Sequence, residues 1–109
     1  MTAVHASLRD RPWVQGAHPL EWKQVDPKQP LVSRLRFDPG FADPNWCTNT
    51  HVLYVELGEL SIELAEETLV IQAGQFLHLG PGAVHRAKNL GAEPVEIFVV
   101  SQLTLHSPT

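Results

Sequence analysis

The chain has 109 residues, 43% of them apolar and 18% charged, with a formal net charge of −4. That is room for one domain around one core, and a folding composition rather than a disordered one. Its eight Lys and Arg residues are scattered, so no basic block exists to neutralise a row of phosphates and direct nucleic-acid binding is not expected. No apolar run approaches the roughly 20 residues of a membrane span, and the N-terminal MTAVHASLRDRPW lacks the apolar core of a secretory signal. One cysteine, Cys47, cannot make an internal disulfide. The expectation is a cytoplasmic protein with a free thiol.

Residues 1–16 show no sustained periodicity and end in Arg-Pro-Trp-Val-Gln-Gly. They read as an arm that either docks through Trp13 or stays mobile, ahead of one folded unit over 17–109. Trp22 suits an opening strand, and from there the period is two. Leu31, Ser33, Leu35 and Phe37 alternate with Val32, Arg34 and Arg36 up to the Asp38-Pro39-Gly40 turn. A strand is predicted at 52–57, and after Gly58 the residues Leu60, Ile62 and Leu64 alternate with Glu59, Ser61 and Glu63, a half-buried strand pattern. Further strands are predicted at 68–72, 75–79, 84–87 and 95–105, the last with Val95, Ile97, Val99, Leu103 and Leu105 on one face. Short strands at regular spacing with no convincing helix predict an all-β sandwich or barrel, and closure into a barrel limits exposed strand edges.

The stretch from Gly74 to Asn89, GQFLHLGPGAVHRAKN, has its own logic. A glycine opens a strand after a tight turn, Gly80-Pro81-Gly82 reverses the chain, and the next strand aims His85 at the interior. The same stretch resembles the second conserved motif of the cupin superfamily, which runs Gly, five residues, Pro-x-Gly, two residues, His, three residues, Asn. Every fixed position is met except the proline, where Gly80 stands and Pro81 follows. Aligned backward from Gly58, the glutamate of the first cupin motif falls on His51 and its paired histidines fall on Asn45 and Cys47. The resemblance, over roughly residues 30–105, implies a small single-domain cupin with altered first-motif ligands, folded as a double-stranded β-helix or jelly-roll barrel. It also implies a homodimer that pairs sheets and exchanges an arm, for which Trp13, Val52 and Tyr54 are available.

In a continuous strand the Cα atoms of Cys47 and His51 would stand roughly 13 Å apart. A shared ion therefore requires a bend, and the polar Thr48-Asn49-Thr50 is where it would fall. With that bend Cys47, His51 and His85 supply one sulfur and two nitrogens and leave a position open, a donor set that suits zinc or ferrous iron better than magnesium or calcium. Against this, a free cysteine often packs as a small hydrophobe and a barrel histidine often only hydrogen-bonds. Asn45, Trp46, Tyr54, His78 and Asn89 are candidate pocket residues; His78 is read as lining a cavity or making a dimer contact ahead of serving as an extra ligand or proton-transfer group, and Asn89 as a turn residue ahead of any chemistry. Leu53, Val55, Phe76, Leu77, Ile97 and Val99 are expected in walls and core, and His5, His18 and His106 carry no assigned role. The function expected from the resemblance is metal binding, with action on a small organic molecule in the barrel. The alternatives are a metal-free binding or sensing module, since three of the four usual ligand positions have changed residue type, and a redox-reactive thiol at Cys47.

Overall fold

The computed structural model describes residue 3 and residues 5–101, so that Leu103, Leu105 and His106 lie outside the described residues. Nine strands are formed in this span: β1 (Val14–Gln15), β2 (Glu21–Asp26), β3 (Gln29–Phe37), β4 (His51–Leu57), β5 (Glu59–Leu64), β6 (Thr68–Gln72), β7 (Phe76–Leu79), β8 (His85–Lys88) and β9 (Val95–Ser101). They make a six-stranded sheet in the order β1-β2-β3-β9-β4-β7 and a three-stranded sheet in the order β6-β5-β8, with every pairing antiparallel. No helix is formed among the described residues, and none is long and apolar enough to cross a membrane.

The inner faces of the two sheets share one core. Phe37, Leu53, Val55, Val95, Ile97 and Val99 come from the larger sheet and Leu60, Ile62, Ile71 and Ala87 from the smaller, all buried. Period-two alternation selects these residues, because a strand lays every second side chain on the same face. The β4–β5 turn fixes the closed end. Gly58 sits at φ 82°, and a Cβ there would stand 2.6 Å from the Pro94 carbonyl oxygen, so only glycine fits.

One expectation needs correction. Phe76 is 70% exposed, because the inward set of β7 is Leu77 and Leu79 and Phe76 falls on the outer face, opposite Tyr54 of β4. At the end of residues 1–16, Val14 and Gln15 pair with Lys23 and Trp22 of β2. Just before them, Arg11 bonds Asp26 at 3.1 Å, Gln24 Nε2 donates to the Arg11 carbonyl at 2.9 Å, and the Arg34 guanidinium lies 5.5 Å from the Trp13 ring centre. These contacts on the outer face of β2 and β3 are why Gln24 and Asp26 are buried.

Candidate metal centre

The site begins with a segment that is almost a strand. Residues 42–47 run along the free edge of β8 and touch it as a ladder only at Ala42 with Lys88 and at Cys47 with His85. Four residues separate those two points on one side and two on the other, so Asp43-Pro44-Asn45-Trp46 bulges away from β8. Pro44 has no N–H to offer the ladder. Asp43 serves both groups of Ala87 across the bulge: its Oδ2 stands in for a ladder carbonyl and accepts the Ala87 N–H at 2.9 Å, while the Asp43 N–H donates to the Ala87 carbonyl at 2.9 Å. The ladder then closes at Cys47, whose N–H donates to the His85 carbonyl at 2.8 Å and whose carbonyl accepts the His85 N–H at 3.0 Å.

From Cys47 the chain leaves the small sheet. Residues 48–50 have no regular structure, and the chain enters the large sheet at His51, between Leu79 of β7 and Ser101 of β9. The bend at Thr48-Asn49-Thr50 is thus a crossing from one sheet to the other, and it sets His51 facing Cys47 and His85 across the barrel. Cys47 Sγ lies 3.6 Å from His51 Nε2, the two imidazole centres are 5.2 Å apart at 81°, and the three ligand atoms all fall within 4.8 Å of one another.

Both rings are held from behind. His85 Nδ1 donates to the Ala83 carbonyl at 2.9 Å. A carbonyl only accepts, so the proton is on Nδ1 and Nε2 of the neutral ring carries a lone pair. His51 Nδ1 lies 3.1 Å from Ser101 Oγ. Burial, and after it the repulsion that His85 exerts whenever it is protonated, hold the His51 pKa below the usual histidine value, which favours the neutral, ligating form. Asp43 is moved the other way, upward by burial against the opposing pull of the Ala87 N–H.

The donor set fits a transition metal. Zinc bonds of about 2.3 Å to sulfur and about 2.0 Å to nitrogen require a sulfur-to-nitrogen edge of about 3.5 Å in a tetrahedron, close to the 3.6 Å between Cys47 Sγ and His51 Nε2. One thiolate and two imidazoles with a hydrogen-bonded rear nitrogen on each ring suit zinc or iron and not an oxygen-seeking cation.

The triad borders a cavity of about 490 Å³ whose walls include Leu53, Leu60, Ile62 and Val99. Asn45, Asn49 and Trp46 stand at the same end, and Glu21 and Lys23 of β2 and Asp43 add polar lining. Trp46 also serves the outside. Arg86 lies 4.2 Å over its ring and is anchored in turn by Glu63 on β5, to which Arg86 Nε donates at 2.9 Å and Nη2 also donates. The neighbours of Cys47 and His85 in sequence therefore clip the 42–47 segment onto β8 from the far side of the ladder.

Three expected pocket residues lie elsewhere. Tyr54 is on the outer face of β4, flanked by Phe76 and Phe98, because Leu53 and Val55 take the inward positions. His78 is exposed on the outer face of β7, opposite Val52. Asn89 follows β8 at its far end, 1% exposed, donating through Nδ2 to the Phe37 and Glu93 carbonyls at 3.0 and 2.9 Å and accepting the Gly91 N–H at 3.0 Å. It ties the closed end together and does not reach the cavity. Of the residues outside the candidate set, His18 accepts the Leu20 N–H and packs edge-on against Phe41, while His5 is exposed. The sequence reading missed Ser101, Asp43, Glu21 and Lys23. The signal for Ser101 was present, as the next inward position after Val95, Ile97 and Val99.

The family described as Cupin domain matches residues 34–101, more than half of the chain. The fold is similar to that of a predicted oxalate decarboxylase from Thermotoga maritima, at 20% identity over 77% of this chain and 79% of that one with a TM-score of 0.64. It is similar to a sugar phosphate isomerase from Silicibacter pomeroyi, at 14% identity over 93% and 76% with a TM-score of 0.72. The CENP-C cupin domain of Drosophila melanogaster is likewise similar, at 15% identity over 89% and 74% with a TM-score of 0.74. No curated protein matches the sequence. At such identities the solved structures speak for the fold alone, and they agree with the family match and with the two-sheet barrel: the chain belongs to the cupin domain family.

Proposed function

We propose that this cupin holds a divalent transition metal, zinc or ferrous iron, through Cys47 Sγ, His51 Nε2 and His85 Nε2, and that it binds and acts on a small organic molecule in the adjoining cavity. The observation that carries the reading is the convergence of those three atoms, from a bulged edge and from both sheets, within 4.8 Å at one end of a cavity of about 490 Å³. An ion bound there would act as a Lewis acid on an oxygen of the guest. The chain supplies the rest. Leu53, Leu60, Ile62 and Val99 offer apolar walls to the carbon frame of a guest, Asn45 and Asn49 offer amide donors and acceptors, and Asp43 offers a carboxyl. Its Oδ2 is held by the Ala87 N–H, which leaves Oδ1 to take or return a proton. The names of two structural neighbours, a predicted oxalate decarboxylase and a sugar phosphate isomerase, both concern small oxygen-rich molecules. They support a guest of that size without choosing among substrates.

The test is elemental analysis of protein purified without an affinity tag. About one equivalent of zinc or iron is expected, lost in His51→Ala and in His85→Ala while both remain folded. Wild-type protein that takes up neither metal, yet gains thermal stability from a cavity ligand in the presence of a chelator, replaces this reading with that of a metal-free binding module.

A further inference from the structure

We infer that Ser101 is a positioning residue: its hydroxyl accepts the Nδ1 proton of His51 and holds that ring in the tautomer whose Nε2 is bare. This rests on the metal-binding reading for its consequence, though not for the tautomer itself. His51 and Ser101 are direct cross-strand partners on β4 and β9, so sheet register sets their separation, and Oγ stands 3.1 Å from Nδ1. Val95, Ile97 and Val99 fill the inward positions of β9 before it with buried apolar side chains. Ser101 puts a hydroxyl at the next such position, beside a ligand histidine.

A neutral imidazole has one N–H to place. If Nδ1 holds it, Ser101 accepts and the Nε2 lone pair faces Cys47 Sγ, 3.6 Å away. If Nε2 holds it, Ser101 donates to Nδ1 and a proton lies where the ion would bind. His85 has no such choice, since its Nδ1 faces the Ala83 carbonyl. At His85 the backbone sets the proton; at His51, among the described residues, the Ser101 hydroxyl is the group placed to accept a proton on Nδ1, so its removal takes away the partner that keeps the proton off Nε2.

The experiment uses the full chain in two states. In metal-free protein, the ring nitrogen shifts of His51 report the tautomer by NMR; the metal-bound state is read as zinc affinity in competition with a chromogenic chelator. Wild type is expected to show the Nε2-bare tautomer. Ser101→Ala is expected to give a mixture at His51 with His85 unchanged, and zinc affinity lower by about 10- to 100-fold. Ser101→Thr, which keeps the hydroxyl, restores both. An unchanged His51 tautomer and unchanged zinc affinity in a folded Ser101→Ala protein overturn the inference. A wild type that takes up no zinc, but whose His51 tautomer still depends on Ser101, removes the metal reading and leaves the positioning role standing.

Discussion

Cys47 and His85 are hydrogen-bonded backbone to backbone in both directions, at 2.8 and 3.0 Å, so their side chains leave the same face of the ladder as direct neighbours. The thiol is placed by this pairing and not by any bond that its sulfur makes. Cys47→Ser should therefore leave the fold intact and change only the donor. An oxygen in place of a thiolate weakens soft and borderline ions most. Zinc affinity is expected to fall at least about tenfold relative to manganese affinity, measured by competition titration of both ions. An equal fall for the two metals would mean that the sulfur is not a ligand.

The same pairing depends on the outer clip. Arg86 is stacked on Trp46 and anchored to Glu63, and the 42–47 segment has only two ladder contacts with β8. Such a stack contributes about 0.5–1 kcal/mol at an exposed site. Arg86→Ala is expected to speed amide hydrogen exchange at Asp43 and Cys47 several-fold while the β4–β9 amides stay protected, and Arg86→Lys should fall between, since an ammonium lacks the planar stack. No change at the Cys47 amide would show that the bulge holds itself.

Where partners lie close in sequence, or a face is simply apolar, the chain could be read directly. The Leu60, Ile62, Leu64 alternation is β5, and the Gly-Pro-Gly turn does deliver His85 to the interior, buried. β2 was foreshadowed only by Trp22, because Glu21 and Lys23 occupy its inward positions along the cavity, which scrambles the hydrophobic period. Phe76 misled because period two gives two faces without saying which one is inside. Asp43 was out of reach for a different reason: it is a single polar residue whose partner stands 44 positions away, and only the folded register brings the two together. The inward position of Ser101 could be counted along β9, but its pairing with His51, 50 positions away, could not.

Asp43 gives a pH signature. Burial raises its pKa in the folded chain above the reference value of 3.8. A raised value means that the folded state binds the proton more tightly, so stability linked to this group is fully present below that reference and is lost as pH rises through the folded value. Asp43→Asn keeps an oxygen for the Ala87 N–H without the buried charge. In chelator, its stability by urea denaturation should gain on wild type as pH rises from about 4 to 7. Asp43→Ala leaves the Ala87 N–H without its acceptor and should cost about 1–3 kcal/mol at either pH. A constant gap between Asp43→Asn and wild type across that range would mean that the carboxyl ionises as freely as in water.

The outer face of the large sheet carries the last prediction. Tyr54 stands in register between Phe76 and Phe98, with Val52 and Val100 in the next row. The Arg11 and Trp13 contacts cover the Gln24 and Arg34 side of that face and leave the aromatic strip exposed. Arg34 is paired with both Glu56 and Glu96 at its border, so charge does not oppose a second copy laid against the first about a two-fold axis. A homodimer is the expected state: light scattering at tens of micromolar should give twice the 12.1 kDa of one chain. Tyr54→Lys with Phe76→Lys should return the mass to one chain and leave zinc uptake equal to that of wild type, since neither side chain lines the cavity. A wild type that stays monomeric across that concentration range would leave the aromatic strip without this role.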